Sequence, residues 1–129
     1  MTSSYKTVYT QSMPLYQIVV DWCYETVPLN QIFNTTDAII SEMQRRVDAG
    51  IDHQFSVRVR AIHHGNEITA ETMSSCYSYG CSPDTEIVEK KLGGYLDIML
   101  LKVKISAGNL VNEMTKTENN TESSLDDVF

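Results

Sequence analysis

The stretch QFSVRVRAIHHGNEITAETMSSCYSYG, residues 54–80, alternates apolar and polar side chains on both sides of a Gly-Asn step. Period-two alternation makes a strand with one face for a core, and a Gly-Asn pair supplies the positive φ of a two-residue hairpin loop. An antiparallel hairpin is therefore the strongest constraint on the fold. With Gly65 and Asn66 as the loop, facing residues have numbers that sum to 131. Phe55, Val57, Val59, Ala61 and His63 then share the core face with Ile68, Ala70, Thr72, Ser74 and Cys76. The opposite face carries Arg58, Arg60 and Ile62 with Thr69, Glu71, Met73 and Ser75. In that register Arg60 faces Glu71, whereas Arg58 faces Met73 and is the freer donor.

Before the hairpin, YQIVVDWCYE reads as a strand that places Tyr16, Ile18, Val20, Trp22 and Tyr24 on one face. The Ser/Thr-rich residues 1–14 are either a loose arm or an edge strand. Between the strands, Asn34 or Thr35 caps a helix of roughly 36–49, which hides Ile39, Ile40, Met43 and Val47 and ends at Gly50. After Gly80, Ser82 and Pro83 open a second helix with acids in its first turn. The stretch YLDIMLLKVKISAGNLVNEMTK favours helix, although LLKVKIS also alternates as a strand. As a helix it carries two stripes: Leu92, Tyr95, Met99, Val103, Leu110, Val111 and Met114, and separately Ile98, Leu101 and Ile105. The second stripe implies a homo-oligomer through the C-terminal helices, unless that helix is buried between the sheet and another helix. The fold class is thus α+β, a small antiparallel sheet in β-α-β-β order followed by C-terminal helices. Residues 1–114 form a single domain, and 115–129 an acidic, disordered tail.

That tail concentrates the charge. Residues 113–129 hold five acids against Lys116, a net of −4 out of the −7 of all 129 residues. Such a balance excludes general nucleic-acid and anionic-membrane binding, both of which need a basic footprint. No 18-residue apolar run and no charged-then-apolar leader occurs, and three cysteines, an odd count, fit a reducing cytosol, so a soluble, cytoplasmic protein is expected. The ending ESSLDDVF is similar to the short C-terminal peptides that phage proteins insert into a sliding clamp. A protein partner for the tail is the alternative function.

The segment SSCYSYGCS, residues 74–82, selects among chemistries. Cys76 and Cys81 point to opposite faces and have no second ligand pair, so neither a metal site nor a cofactor is expected. Cys76 falls on the core face opposite Phe55, where a thiol is packing. His63 and His64 are exposed turn residues too far along the hairpin to serve as its base. No paired carboxylates, phosphate loop or nucleophile elbow occurs, and an enzyme is not expected. Tyr77 and Tyr79, in contrast, come out on the face of Arg58 and Arg60, among small residues such as Ser75. Arginines offer planar donors to phosphates and tyrosines a surface for a base. The helix start at Pro83 would add amides, and Arg45 or Arg46 a further cation. Arg58, Arg60, Tyr77, Tyr79, Ser75 and Arg45 are therefore candidate ligand-binding residues, unless Arg60 pairs with Glu71 and the tyrosines rest on a helix.

Residues 36–114 also carry an order of features: a helix ending RRVDAG, then FSVRVRA, a HGNEI turn, SSCYSY and a helical C-terminus. This order is similar to that of small phage proteins of anti-defence function, and most resembles the first Thoeris anti-defence family. The resemblance implies a β-sheet flanked by C-terminal helices that sequesters cyclic ADP-ribose isomers without cleaving them, in the host cytoplasm. It implies a small phosphorylated nucleotide as the ligand.

Overall fold

In the computed structural model, which describes residues 4–128 and their side chains as far as 116, the hairpin closes around a different pair of residues. Strands β3 (His53–His63) and β4 (Asn66–Ser78) are joined by His64 and Gly65, both in the left-handed region at φ 50° and 78°. Two consecutive positive φ values match the twist of the flanking strands. His63 therefore faces Asn66, and numbers near the loop sum to 129. Two bulges on β4 remove the offset stepwise, one at Ile68 and one at Ser74–Ser75, where Ser75 has φ 62°. Beyond the second bulge Phe55 faces Cys76, as the sequence implied.

Between the bulges the register differs from the expected one by one residue, and a one-residue slip exchanges the faces of a strand. Thr69, Glu71 and Met73 lie across from Ala61, Val59 and Val57 on the core side. Ala70, Thr72 and Ser74, expected inside, are exposed. Arg58 faces Thr72 and Arg60 faces Ala70, so neither expected cross-strand neighbour of the arginines is correct.

The Ser/Thr-rich arm is an edge strand. β1 (Lys6–Ser12) pairs with β2 (Gln17–Tyr24), and the sheet order is β1-β2-β3-β4, antiparallel throughout. Two helices, α1 (Leu29–Ile32) and α2 (Asp37–Asp48), connect β2 to β3. After β4 come α3 (Pro83–Val88), a tight turn over Lys91–Gly94 and α4 (Tyr95–Val128). The fold is α+β, a four-stranded antiparallel sheet followed by C-terminal helices.

The core is one sheet face beneath α3 and α4. Ile18, Val20, Trp22, Phe55, Val57, Val59 and Ala61 rise from the sheet to meet Ile87, Leu96, Met99, Val103 and Ala107. Each large apolar side chain so buried contributes about 1.5–3 kcal/mol. This layer outweighs any surface ion pair. Residues 95–106 are helix, with buried positions at 96, 99, 103, 107 and 111. Tyr95, Leu110 and Met114, assigned to that stripe from the sequence, are exposed, because the sheet meets the helix along the line of Leu96 and Ala107. Ile98, Leu101 and Ile105 are on the far side, each more than half exposed.

Helix α2 begins at the cap Thr36, whose hydroxyl accepts from the Ile39 amide, and Gly50 follows its end at φ 74°. No residue of α2 is buried, and Ile39 is half exposed. The expected hidden stripe thus faces something other than the core. Among the described residues no helix is long and apolar enough to cross a membrane. The backbone of 115–128 continues α4; the side chains of 117–128, and with them the expected partner of the chain's end, lie outside the described residues.

Candidate functional site: a groove mounted on a buried carboxylate

The sheet face turned away from α4 carries the arginines, and β2 sets their state. In the β2–β3 register Asp21 faces Arg58 directly. Asp21 is 1 % exposed and accepts from Arg58 Nε at 2.7 Å and Nη2 at 3.1 Å, and from Arg60 Nη2 at 3.0 Å. The Tyr5 ring lies 3.6 Å from the Arg58 guanidinium carbon and covers it. Arg58 is therefore firmly held, not the freer donor: a two-pronged fork on a buried carboxylate is among the stronger polar contacts a protein makes. Arg60 does not meet Glu71; it lies 3.9 Å from Glu67. A hairpin considered alone shows only one neighbour of β3. Asp21, on the other side, was the missing partner.

Tyr77 shares the sheet face of Arg58 but not its neighbourhood. It faces Gln54, four residues along β3 from Arg58, or about 13 Å at the usual strand rise. Glu25 occupies the interval. Its carboxylate accepts from the Ser75 amide at 3.0 and 3.1 Å and from the Ser56 hydroxyl. Ser75 is thus a bulge residue held by Glu25. Nor does the start of α3 offer a site: the Thr85 amide is taken by Ser82, and Asp84 binds Trp22 Nε1 at 2.7 Å and Lys6 at 2.8 Å.

At the far end of the sheet a second carboxylate gathers three parts of the chain. Asp52, fully buried just before β3, accepts from Arg46 of α2 at 2.8 and 3.0 Å, from the Gly80 amide at 2.8 Å and from the Tyr77 hydroxyl. Burial alone would raise the Asp52 carboxyl, but the bonds from Arg46, Tyr77 and Gly80 outweigh it and hold the pKa below the usual range. Burial first, then the Asp52 carboxylate, push the Tyr77 hydroxyl well above its ordinary value. Arg46 in turn lies 4.4 Å over the ring of Tyr79, and Phe33 meets Tyr77 edge-on at 5.7 Å.

Above Asp52, Phe33, Tyr77 and Tyr79 form one wall of a groove of about 570 Å³, whose other wall is the side of α2 that carries Arg46. Ile39 and Met43, the stripe that reaches no core, line it with Phe33, Arg46, Tyr77 and Tyr79. Of the residues expected to bind ligand, Tyr77 and Tyr79 are here together. Arg58 and Arg60 are at Asp21, Ser75 is at Glu25, and Arg45 is bound on the surface to Glu42 at 2.6 Å. Arg46, its neighbour, is the arginine that lines the groove. No family model, curated protein or solved structure matches the chain. The groove must therefore be interpreted from its own chemistry.

Asp52 is kept ionised beneath the surface and Tyr77 is kept protonated, so neither is poised to exchange a proton near neutrality. Cys76 lies on the core face, where burial, then Glu25 and Glu86, push its thiol up to about 12. Cys81 is half-buried and its Sγ lies 3.6 Å from Glu86. Among the described residues no group of three histidine, cysteine or acidic side chains could hold a metal ion.

Proposed function

We propose that the protein is a non-enzymatic binding protein that sequesters a small nucleotide, of the cyclic or ADP-ribose-derived class, in the groove between α2 and the end of β4. The observation that carries this reading is the Arg46–Tyr79 stack on the rim of a mainly apolar groove. Ligand sites for small molecules span roughly 300–1,000 Å³ and combine apolar walls with a few fixed polar groups. About 570 Å³ accommodates a ligand of that size. Tyr79 is 66 % exposed with Arg46 on one side, and its remaining surface is suited to stacking a base.

Arg46 commits Nε and Nη2 to Asp52 and keeps Nη1 as a donor for a phosphate oxygen. Asp52 also neutralises much of its charge. The ring therefore contributes more to affinity than the phosphate does, which distinguishes this groove from a cationic phosphate pocket. The resemblance to anti-defence sponges supports the same ligand class. The contribution expected of Arg58 and Arg60 is replaced in this reading by Arg46.

Recovery of the ligand tests the proposal. Protein incubated with adenosine nucleotides, ADP-ribose and cyclic nucleotides is separated from free ligand, denatured, and the released compound chromatographed. The proposal expects one member of the panel back unchanged. A converted product would make the protein an enzyme, and an empty protein would remove the nucleotide reading.

A further inference from the structure

A second hollow lies on the other side of the ridge that bounds the groove. Phe33 and Tyr77 line both, and beyond them is a space of about 270 Å³ whose walls include Met73, Cys76, Glu86, Leu92 and Tyr95. The two hollows are thus separated by one pair of side chains, whose rings meet edge-on. Both open to the surface, so a ligand seated in one reaches the rim of the other.

Local structure builds this hollow from two irregularities. The bulge at Ser74–Ser75 puts Met73 and Cys76, three residues apart, on the same side of β4, and both line the space. Leu92 arrives from a turn in which Lys91, Leu92, Gly93 and Gly94 all have positive φ, a backbone that is unfavourable for the two residues with a Cβ. That turn sets buried Leu92 in the floor and half-exposed Tyr95 at the rim.

The lining is apolar and aromatic except at one carboxylate. The Glu86 side chain is 18 % exposed; its Oε2 lies 3.6 Å from the Cys81 thiol and 3.9 Å from Lys90 Nζ. Its Oε1 has no hydrogen-bond partner among the described residues. A carboxylate accepts hydrogen bonds and donates none, so it repels a phosphate and takes the amino group of a base. Groove and hollow therefore differ in sign, with the Arg46 guanidinium in one and Glu86 in the other.

We infer that they are two subsites for one dinucleotide. One base stacks on Tyr79, the phosphate link passes Arg46 and crosses the Phe33–Tyr77 ridge, and the second base lies against Tyr95 with an amino group donating to Glu86. This inference rests on the nucleotide reading of the groove and narrows it, because a ligand with a single base leaves the hollow unfilled. The two volumes together stay within the roughly 300–1,000 Å³ of small-molecule sites.

Calorimetric titration with AMP, with the linear dinucleotide ApA and with its inosine counterpart IpI, which has carbonyls in place of the amino groups, tests this. ApA should bind about tenfold or more tighter than AMP, the gain of one further stacked base. Equal affinity would overturn the second subsite while leaving the nucleotide reading standing, and failure of all three to bind would remove both. Tyr95→Ala should bring ApA down to the affinity of AMP without changing AMP binding or the melting temperature; a retained ApA advantage would place the second base elsewhere and overturn the arrangement. IpI should bind more weakly than ApA, and Glu86→Gln, whose amide both donates and accepts, should narrow that preference. Equal binding of ApA and IpI, or an unchanged preference in Glu86→Gln, would overturn the contact with Glu86.

Discussion

Asp21 and Asp52 are both carboxylates buried under arginine, yet they do different things. Asp21 lies in the middle of the sheet and binds two arginines of the adjacent strand, with Tyr5 folded over one of them. Everything it touches belongs to the sheet or its edge. Asp52 lies where the sheet ends and binds a helix side chain, a tyrosine beyond the bulge and a loop amide. The first closes a surface, and the second mounts a groove. Arginine content alone therefore does not locate an anion site; what matters is which carboxylate already holds each guanidinium.

Removing each carboxylate is the strongest way to break the comparison. Loss of one partner from a buried ion pair costs about 3–5 kcal/mol. Asp52→Ala and Asp21→Ala should both approach that range in urea denaturation. Their binding should diverge: Asp52→Ala releases Arg46 and Tyr77 and abolishes nucleotide binding, whereas Asp21→Ala, assayed where it is still folded, retains it. Equal loss of binding in both variants would show that the two regions are one site.

The acid response follows in size. Asp52 has a folded pKa below its unfolded value of about 4, so its contribution is fully present above that value and is lost as pH falls through the folded one. Thermal melts from neutral to strongly acid solution should therefore show wild-type stability falling below about pH 4. Asp52→Asn should begin less stable and lose less. A parallel pair of curves would contradict the assignment.

A smaller effect is expected from Tyr77→Phe, which removes one hydrogen bond to Asp52 and leaves the ring against Phe33. The cost should be about 1–2 kcal/mol in urea denaturation, with binding weakened only as far as Arg46 moves. The smallest effect concerns the thiols. At mildly alkaline pH a thiol reagent should modify Cys81 first and leave Cys76 slow, since Cys76 is buried and held protonated. Rapid modification of Cys76 would mean that the end of β4 opens readily.

Much of the architecture was legible because it rests on local periodicity. β2, α2, both hairpin strands and the cap at Ser82 follow from alternation, helical spacing and capping residues. The loop was misplaced by one residue because HHGN offers two adjacent pairs able to adopt positive φ, and His64-Gly65 is the pair that does. The bulges at Ile68 and Ser74–Ser75 left no signature in the alternation, since Ala70, Thr72 and Ser74 are small enough to suit either face. The site was half legible. Tyr77 and Tyr79 stood out as aromatics among serines, and the stripe of α2 was visible although its destination was not. Asp52 and Asp21 act through contacts across the fold, 25 and 37 residues from Tyr77 and Arg58 respectively, and no local pattern announces them.

The central claim, that ligand binds at the Arg46–Tyr79 groove and not at the Arg58–Arg60 face, is tested most directly by calorimetric titration of Tyr79→Ala and Arg58→Ala beside the wild type. The nucleotide recovered from the wild-type protein serves as titrant. Base stacking on an aromatic ring is worth about 1–3 kcal/mol, so Tyr79→Ala should weaken binding by roughly one to two decades while keeping its melting temperature. Arg58→Ala should lower the melting temperature and leave the dissociation constant within about twofold, a shift of under half a kcal/mol. The reverse pattern, with Arg58→Ala losing affinity and Tyr79→Ala retaining it, would contradict the account and return the site to the open face of the sheet.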